Sequence, residues 1–276
     1  MKWAVNKNKI MNNIDIQYEK IKKEKRMGLM THVVVGYPSI PATRAIVKMM
    51  AEEGADFIEL QIPFSDPLGD GPVIHQANTK ALTKGIRVRD AFALVKTLRE
   101  KDRITIPLLF MTYMNIPFSY GLEKFCKDAE SADINGLIIP DYNLKLEGID
   151  HFEKFAEKYN QILIRFVSLE SASSRMKLLS SGAKGFIYCF STQGITGVRE
   201  HLEKYLTKHL GQVRRYFSLP LAVGFGISNA EHIRSLKGSA DIVVVGSAMI
   251  KAFEEGGIKK SRIKIRELVD VCKNKK

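Results

Sequence analysis

A chain of 276 residues is long enough for one large α/β domain or two small ones, and its 45% apolar content supplies a sizeable core. No apolar run approaches the roughly 20 residues of a membrane span, and the start Met1-Lys2-Trp3-Ala4-Val5-Asn6-Lys7 lacks the apolar stretch of a signal peptide, so a cytoplasmic location is expected. The net charge of +13 raises the question of nucleic-acid binding, but residues 1–28 hold eight basic against three acidic side chains, residues 257–276 hold eight against two, and the stretch between them is close to balanced.

The basicity therefore belongs to the two ends, where it reads as solvated helix faces, and neither a nucleic acid nor a membrane is expected as a partner. Cys126, Cys189 and Cys272 are far apart in sequence and form no Cys-x-x-Cys pair. That spacing excludes a disulfide framework or a metal site as the organising feature.

Residues 10–28 read as an extra N-terminal helix, placed to plug the bottom of a barrel. From about residue 30 short apolar runs alternate with longer amphipathic stretches. The expected strands are 31–35, 57–61, 107–111, 136–139, 162–167, 185–190, 221–224 and 241–245. Continuous apolar strands with helical connections belong to a parallel sheet covered on both faces. Eight such units in one domain-sized chain predict a (β/α)₈ barrel, a single domain over 1–276. A doubly wound sheet is the competing arrangement, but the Gly-x-Gly-x-x-Gly turn it favours after the first strand is absent. Pro72 after Gly71 suits a helix start. Ser228-Asn229-Ala230-Glu231 has the spacing of a capping box with Ser228 at the cap, and 258–273 reads as the closing helix.

In a barrel, polar residues at the C-terminal ends of the strands point into the active site. Glu59 sits in the otherwise apolar run Ile58-Glu59-Leu60, and a parallel barrel strand has no solvent face, so its carboxylate is expected at the mouth. The following loop, Pro63-Phe64-Ser65-Asp66-Pro67-Leu68-Gly69-Asp70-Gly71-Pro72, sets two aspartates among prolines and glycines. Turn chemistry alone accounts for Asp-Pro and Asp-Gly, but the loop is long and stiffened and lies at the catalytic end. Ser191-Thr192-Gln193-Gly194-Ile195-Thr196-Gly197, Gly224-Phe225-Gly226-Ile227-Ser228 and Gly246-Ser247 follow strands 6, 7 and 8. Glycines let backbone amides approach an anion, and a helix N-terminus adds a favourable dipole, so a phosphate site is expected there.

At this point the residues resemble a known family. Phe57-Ile58-Glu59-Leu60 running into Ile62-Pro63-Phe64-Ser65-Asp66-Pro67 and Asp70-Gly71-Pro72 is similar to the signature of tryptophan synthase alpha subunits. Gly36-Tyr37-Pro38, Met111-Thr112-Tyr113-Met114-Asn115, Pro140-Asp141, Tyr188 and the three glycine-rich segments match in the same order, over about 30–255. The resemblance implies a retro-aldol lyase that cleaves indole-3-glycerol phosphate to indole and glyceraldehyde 3-phosphate. By the same resemblance Glu59 is the general acid/base, and Asp70 accepts the indole N–H and stabilises positive charge on the ring. Tyr113, Tyr188, Thr196 and Phe225 bind substrate, and Gly197, Gly226, Gly246 and Ser247 cradle the phosphate. It implies no metal or organic cofactor on this chain. A beta subunit carrying pyridoxal phosphate is the implied partner, in an alpha-beta-beta-alpha heterotetramer, with Asp66 at the interface.

The chain also departs from that pattern. Gln61 stands where the family usually has glycine, Gly69 where it has alanine, His32 where an aromatic residue is common and His75 where it has glutamine. Tyr142-Asn143-Leu144-Lys145 replaces the usual residues after Asp141. Strand alternation turns Gln61 the same way as Glu59. These changes leave a second reading open: a degenerate alpha subunit that mainly binds and regulates its partner.

Overall fold

A computed structural model describes residues 11–67, 69–168, 171–190, 199–224 and 226–273, without the side chains of 146–148 and 199–205. Eight parallel strands close into a barrel in chain order. They are β1 (Gly28–Val34), β2 (Phe57–Gln61), β3 (Leu108–Met111), β4 (Gly136–Ile138), β5 (Ile162–Ser168), β6 (Ile187–Phe190), β7 (Leu221–Val223) and β8 (Ile242–Val245). Closure is made by β8 against β1, with Gly28 opposite Ile242 and Thr31 opposite Val245. The eight expected strands are all present, and only their ends differ. β1 starts three residues early, at Gly28. β3 omits Pro107, which has no N–H to give to the ladder. β6 begins after Gly185, whose φ of +70° belongs to a turn.

Side chains alternate between two cores, as the pleat requires. One row faces into the barrel: Met30, Phe57, Leu109, Ile138, Ile164, Phe186, Ala222 and Ile242 pack together there. The other row, including Leu29, Ile58, Leu60, Phe110 and Val243, packs under the helix layer. That layer comprises α2 (Ile40–Glu52), α3 (Pro72–Thr83), α4 (Val88–Glu100), α5 (Asn115–Tyr120), α6 (Leu122–Ser131), α7 (Glu147–Asp150), α8 (Phe152–Lys158), α9 (Ser173–Ser180), α10 (Arg199–Arg214), α11 (Ala230–Ser235) and α12 (Ser247–Cys272).

The extra helix α1 (Asn13–Lys23) is shorter than the expected 10–28 and closes the bottom of the barrel. Asn12 caps it by accepting from the Ile14 N–H. The same side chain donates to the Asn135 carbonyl (2.9 Å) and the Asn160 carbonyl (3.1 Å), which ties the helix to the strand ends. Ile14 and Ile21 enter the interior. A Cβ at Gly136 would stand 2.9 Å from Ile14 Cδ1, and one at Gly28 2.9 Å from Ile21 Cδ1, so both strand starts must be bare for the plug to fit.

The closing helix expected over 258–273 is present to Cys272, and non-helical backbone at Gly256 and Gly257 separates it from a helical stretch that starts at Ser247. One expectation about helices changes. The α11 cap is Asn229, whose side chain accepts from the His232 N–H at 3.0 Å, so Ser228 lies one residue outside the helix and makes no capping box with Glu231. Asn229 wins because its backbone is extended at the position where the first free N–H groups can reach its side chain. Pro72 does start α3, capped by Gly71. Basic side chains at both ends are pinned to carboxylates of the body: Arg26 to Asp56 through two bonds of 2.7 Å, and Arg262 and Arg266 to Glu53. Among the described residues no helix is long and apolar enough to cross a membrane.

Candidate active site

The C-terminal mouth of the barrel holds a cavity of about 320 Å³. Its polar floor comes from β1, β2 and the β2–α3 loop, and its aromatic wall from β5 and β6. Its far rim is made of glycine-rich backbone after β7 and β8. Glu59 points inward from β2 and is 3% exposed. His32 is its cross-strand partner on β1. The imidazole Nδ1 lies 3.5 Å from Glu59 Oε1, while Glu59 Oε2 has no partner among the described residues. Burial alone would lower the His32 pKa; the charge and hydrogen bonding of Glu59, with Asp70 and Gln61 behind, outweigh it and raise the pKa above the ordinary histidine value.

Asp70 reaches the cavity from the loop. Gln61 Nε2 donates to its Oδ2 at 2.6 Å, and Asn78 Nδ2 approaches the same oxygen at 3.4 Å. Burial raises the Asp70 pKa, while the Gln61 hydrogen bond and the His32 charge oppose that rise. The loop is tied at two further points. The Gly69 N–H donates to the Tyr113 hydroxyl at 3.1 Å, and the Phe64 N–H donates to Asn78 Oδ1 at 3.2 Å. Tyr113 stacks on Phe64 with ring centres 5.2 Å apart. The Gly69 departure leaves this arrangement intact, because a Cβ there would meet the Tyr113 hydroxyl at an ordinary 3.6 Å.

The aromatic wall is a stack of Phe166 on Tyr188 at 4.8 Å, with Phe190 edge-on at 5.9 Å. Tyr188 lies so close to β7 that a Cβ at Gly224 would stand 2.7 Å from its hydroxyl, so only glycine fits there. Gly226 (φ +57°), Gly246 and Ser247 form the rim. Gly246 is the N-cap of α12, which brings the first, unpaired N–H groups of that helix to the cavity wall.

Glu59, Asp70, Tyr113, Tyr188, Gly226, Gly246 and Ser247 thus share one cavity. Thr196, Gly197 and Phe225 lie outside the described residues. Asp66 is exposed on the outer part of the loop, where it accepts from the Ser65 hydroxyl. Gln61 turns inward as alternation requires, yet it is fully buried, and it braces Asp70 instead of lining the cavity. Sequence reasoning missed Asn78, Phe166 and Phe190. The aromatic pair had a signal, since Phe166 lies on the same strand face as the inward Ile164. Asn78 had only a weak one, an amide among the apolar positions of α3.

Comparison with known proteins gives the same answer from a different direction. Residues 18–276 match the family model described as tryptophan synthase alpha chain. The chain belongs to the tryptophan synthase alpha chain family. It is 44% identical to the tryptophan synthase alpha chain of Desulfotalea psychrophila, over 86% of this chain and 92% of that one. To that of Thermoanaerobacter pseudethanolicus it is 40% identical, over 95% and 99%. Among solved structures, tryptophan synthase subunit alpha from Legionella pneumophila superposes with a TM-score of 0.87 at 29% identity, covering 96% of this chain and all of that one. A chain of Mycobacterium tuberculosis tryptophan synthase superposes with a TM-score of 0.87 at 30% identity, covering 96% and 99%. As a member of that family, the chain is a carbon–carbon lyase of tryptophan biosynthesis.

Proposed function

We propose that the cavity cleaves indole-3-glycerol phosphate to indole and D-glyceraldehyde 3-phosphate, with Glu59 as general acid/base and Asp70 as the stabilising carboxylate. The observation that carries this assignment is the placement of two buried carboxylates in one cavity between an aromatic wall and a glycine-rich rim. Indole is a poor carbanion leaving group. Protonation of ring carbon C3 makes a cation that can accept the electrons of the breaking C–C bond. The unpartnered Oε2 of Glu59 is the atom to deliver that proton, and the same carboxylate then helps to deprotonate the glycerol hydroxyl. Positive charge develops at the ring nitrogen, where Asp70 accepts the N–H. The protonated ring is itself the electron sink, so the step draws on the side chains of this chain alone.

Phe166 and Tyr188 offer a flat wall to the indole. Gly226, Gly246 and Ser247, with the start of α12, suit a phosphate, and Thr196 and Gly197 are assigned to the same cradle. Tyr113 and Phe225 complete the substrate contacts. Indole then passes to a beta subunit that carries pyridoxal phosphate and condenses it with L-serine, in an alpha-beta-beta-alpha assembly. Glu59 and Asp70 both line the cavity, which supports an active lyase over a purely regulatory chain.

The test is indole release by Glu59→Gln, which keeps shape and removes the acid. Its rate should fall by about 10²–10⁴-fold or more with the circular dichroism spectrum unchanged, and Asp70→Asn should also lose a large factor. A Glu59→Gln enzyme that keeps most of its rate assigns the proton transfer to another group.

A further inference from the structure

Three polar groups of the floor have no counterpart in the reaction as drawn: His32, Gln61 and Asn78. Of these, Gln61 makes the shortest contact with a reacting group. It is 0% exposed and sits two residues beyond Glu59 on the same face of β2, opposite Val34 on β1 and Met111 on β3. An amide that deep in a barrel costs stability unless its polar atoms are used. Its Nε2 is used, on Asp70 Oδ2 at 2.6 Å, while its Oε1 makes no hydrogen bond of normal geometry among the described residues and favours the protonated form of His32.

We propose that Gln61 is a positioning residue for the cleavage, its amide holding Asp70 by Oδ2 so that Oδ1 is presented to the ring N–H of the substrate. The inference rests on the role assigned to Asp70 above. Both hydrogen bonds that Asp70 receives from described side chains, those of Gln61 and Asn78, fall on Oδ2, which leaves Oδ1 for a ligand. Of the two, the 3.4 Å approach of Asn78 is too long to fix the carboxylate by itself. The Gln61 bond also opposes the burial that disfavours the ionised carboxylate. Because Asp70 stands on a loop and Gln61 on a strand, the bond transfers the rigidity of the barrel wall to the loop tip. Preorganisation of this kind matters most when charge develops in the substrate. Gln61 lies below the cavity surface, so it acts through Asp70 and not on the substrate.

The experiment measures binding of two unreactive phosphate esters, one bearing an indole ring and the other a benzofuran ring, which has the same shape and no N–H. The wild-type chain is expected to bind the indole ester about tenfold or more tightly than the benzofuran ester, the range of a hydrogen bond to a charged group. In Gln61→Met, which keeps the volume and removes the donor, the preference should fall to about twofold or less, while affinity for inorganic phosphate and the melting temperature stay close to wild type. Indole release should fall in kcat more than KM rises. If Gln61→Met does not fold, Gln61→Asn serves instead, since it keeps the amide and withdraws it by one methylene; the preference should again collapse. A wild-type chain with no preference overturns the role of Asp70 itself. A wild-type preference that survives in the soluble Gln61 variant leaves Asp70 as assigned and overturns the proposal for Gln61. Equal loss for both esters makes Gln61 a merely structural residue and overturns it too.

Discussion

Burial sets the behaviour of the individual side chains at the barrel mouth. His32 and Glu59 are 4% and 3% exposed, and Glu59 favours the charged form of His32 against the cost of leaving water. The raised His32 pKa has a sign that can be measured. A histidine whose folded pKa lies above its unfolded value of about 6.5 contributes stability that is fully present below that pH and is lost as pH rises through the folded pKa. Stability of the wild-type chain to urea should therefore decline from about pH 6.5 upward, with a slope of at most about 1.4 kcal/mol per pH unit from this group. Asp70, also raised, has the same sign but begins its loss from about pH 4. His32→Phe should flatten the decline above pH 6.5 and leave the more acidic part of the curve in place. An unchanged slope in that variant would mean that His32 does not carry the proton. At this scale the sequence was informative about Glu59, because a carboxylate in a strand without a solvent face has few places to go. It was silent on the partner of Gln61, because the eight residues 62–69 separate Gln61 from Asp70 and no local rule says how such a loop folds back.

Elements, not single residues, make the two ends of the barrel. At the bottom, α1 works only because Gly28 and Gly136 leave room for Ile21 and Ile14. At the top, the start of α12 and the turn at Gly226 form the rim proposed for phosphate. The closing helix expected over 258–273 lies beyond the non-helical pair Gly256 and Gly257, and the helical stretch from Ser247 that precedes this pair was not foreseen. Gly226 has φ +57°, a region that branched side chains avoid, and it borders the cavity directly. Glycerol phosphate-like anions should bind the wild-type rim in the mid-micromolar to millimolar range, about −4 to −6 kcal/mol. Gly226→Val should weaken that binding by at least about tenfold, measured by calorimetry at a temperature where both proteins remain folded. Unchanged affinity would move the phosphate site elsewhere.

For the whole molecule, the charge and the loop both concern partners. Among the described residues, arginines of both basic ends are held by the body, Arg26 by Asp56 and Arg262 and Arg266 by Glu53. The β2–α3 loop has an inner carboxylate, Asp70, held by Gln61, and an outer one, Asp66, exposed and bonded only to Ser65 among the described residues. Asp66 is the residue we expect to pair with a cation of the beta subunit, and losing one member of a buried cross-interface pair costs about 2–5 kcal/mol. Asp66→Ala should therefore lose most of the stimulation of indole release by a beta subunit, with the rate and melting temperature of the isolated chain nearly unchanged. A parallel fall in the isolated rate and in melting temperature would make Asp66 a turn residue only.

What the sequence determined by itself was the architecture and the two carboxylates, Glu59 and Asp70, that line one cavity at the barrel mouth. Eight apolar runs, each followed by an amphipathic stretch, can bury their apolar faces together in very few ways, and alternation of that kind is local information. The two carboxylates were legible for the same reason, one by its place in a strand and the other by the composition of its loop. Only the tertiary structure decided which oxygen of Asp70 is held and by what, that His32 faces Glu59 across β1 and β2, and that Phe166 stacks on Tyr188 across β5 and β6. Those contacts depend on the register of neighbouring strands and on the path of one loop, and both are set by closure of the whole barrel, where residues far apart in the chain compete for the same interior space.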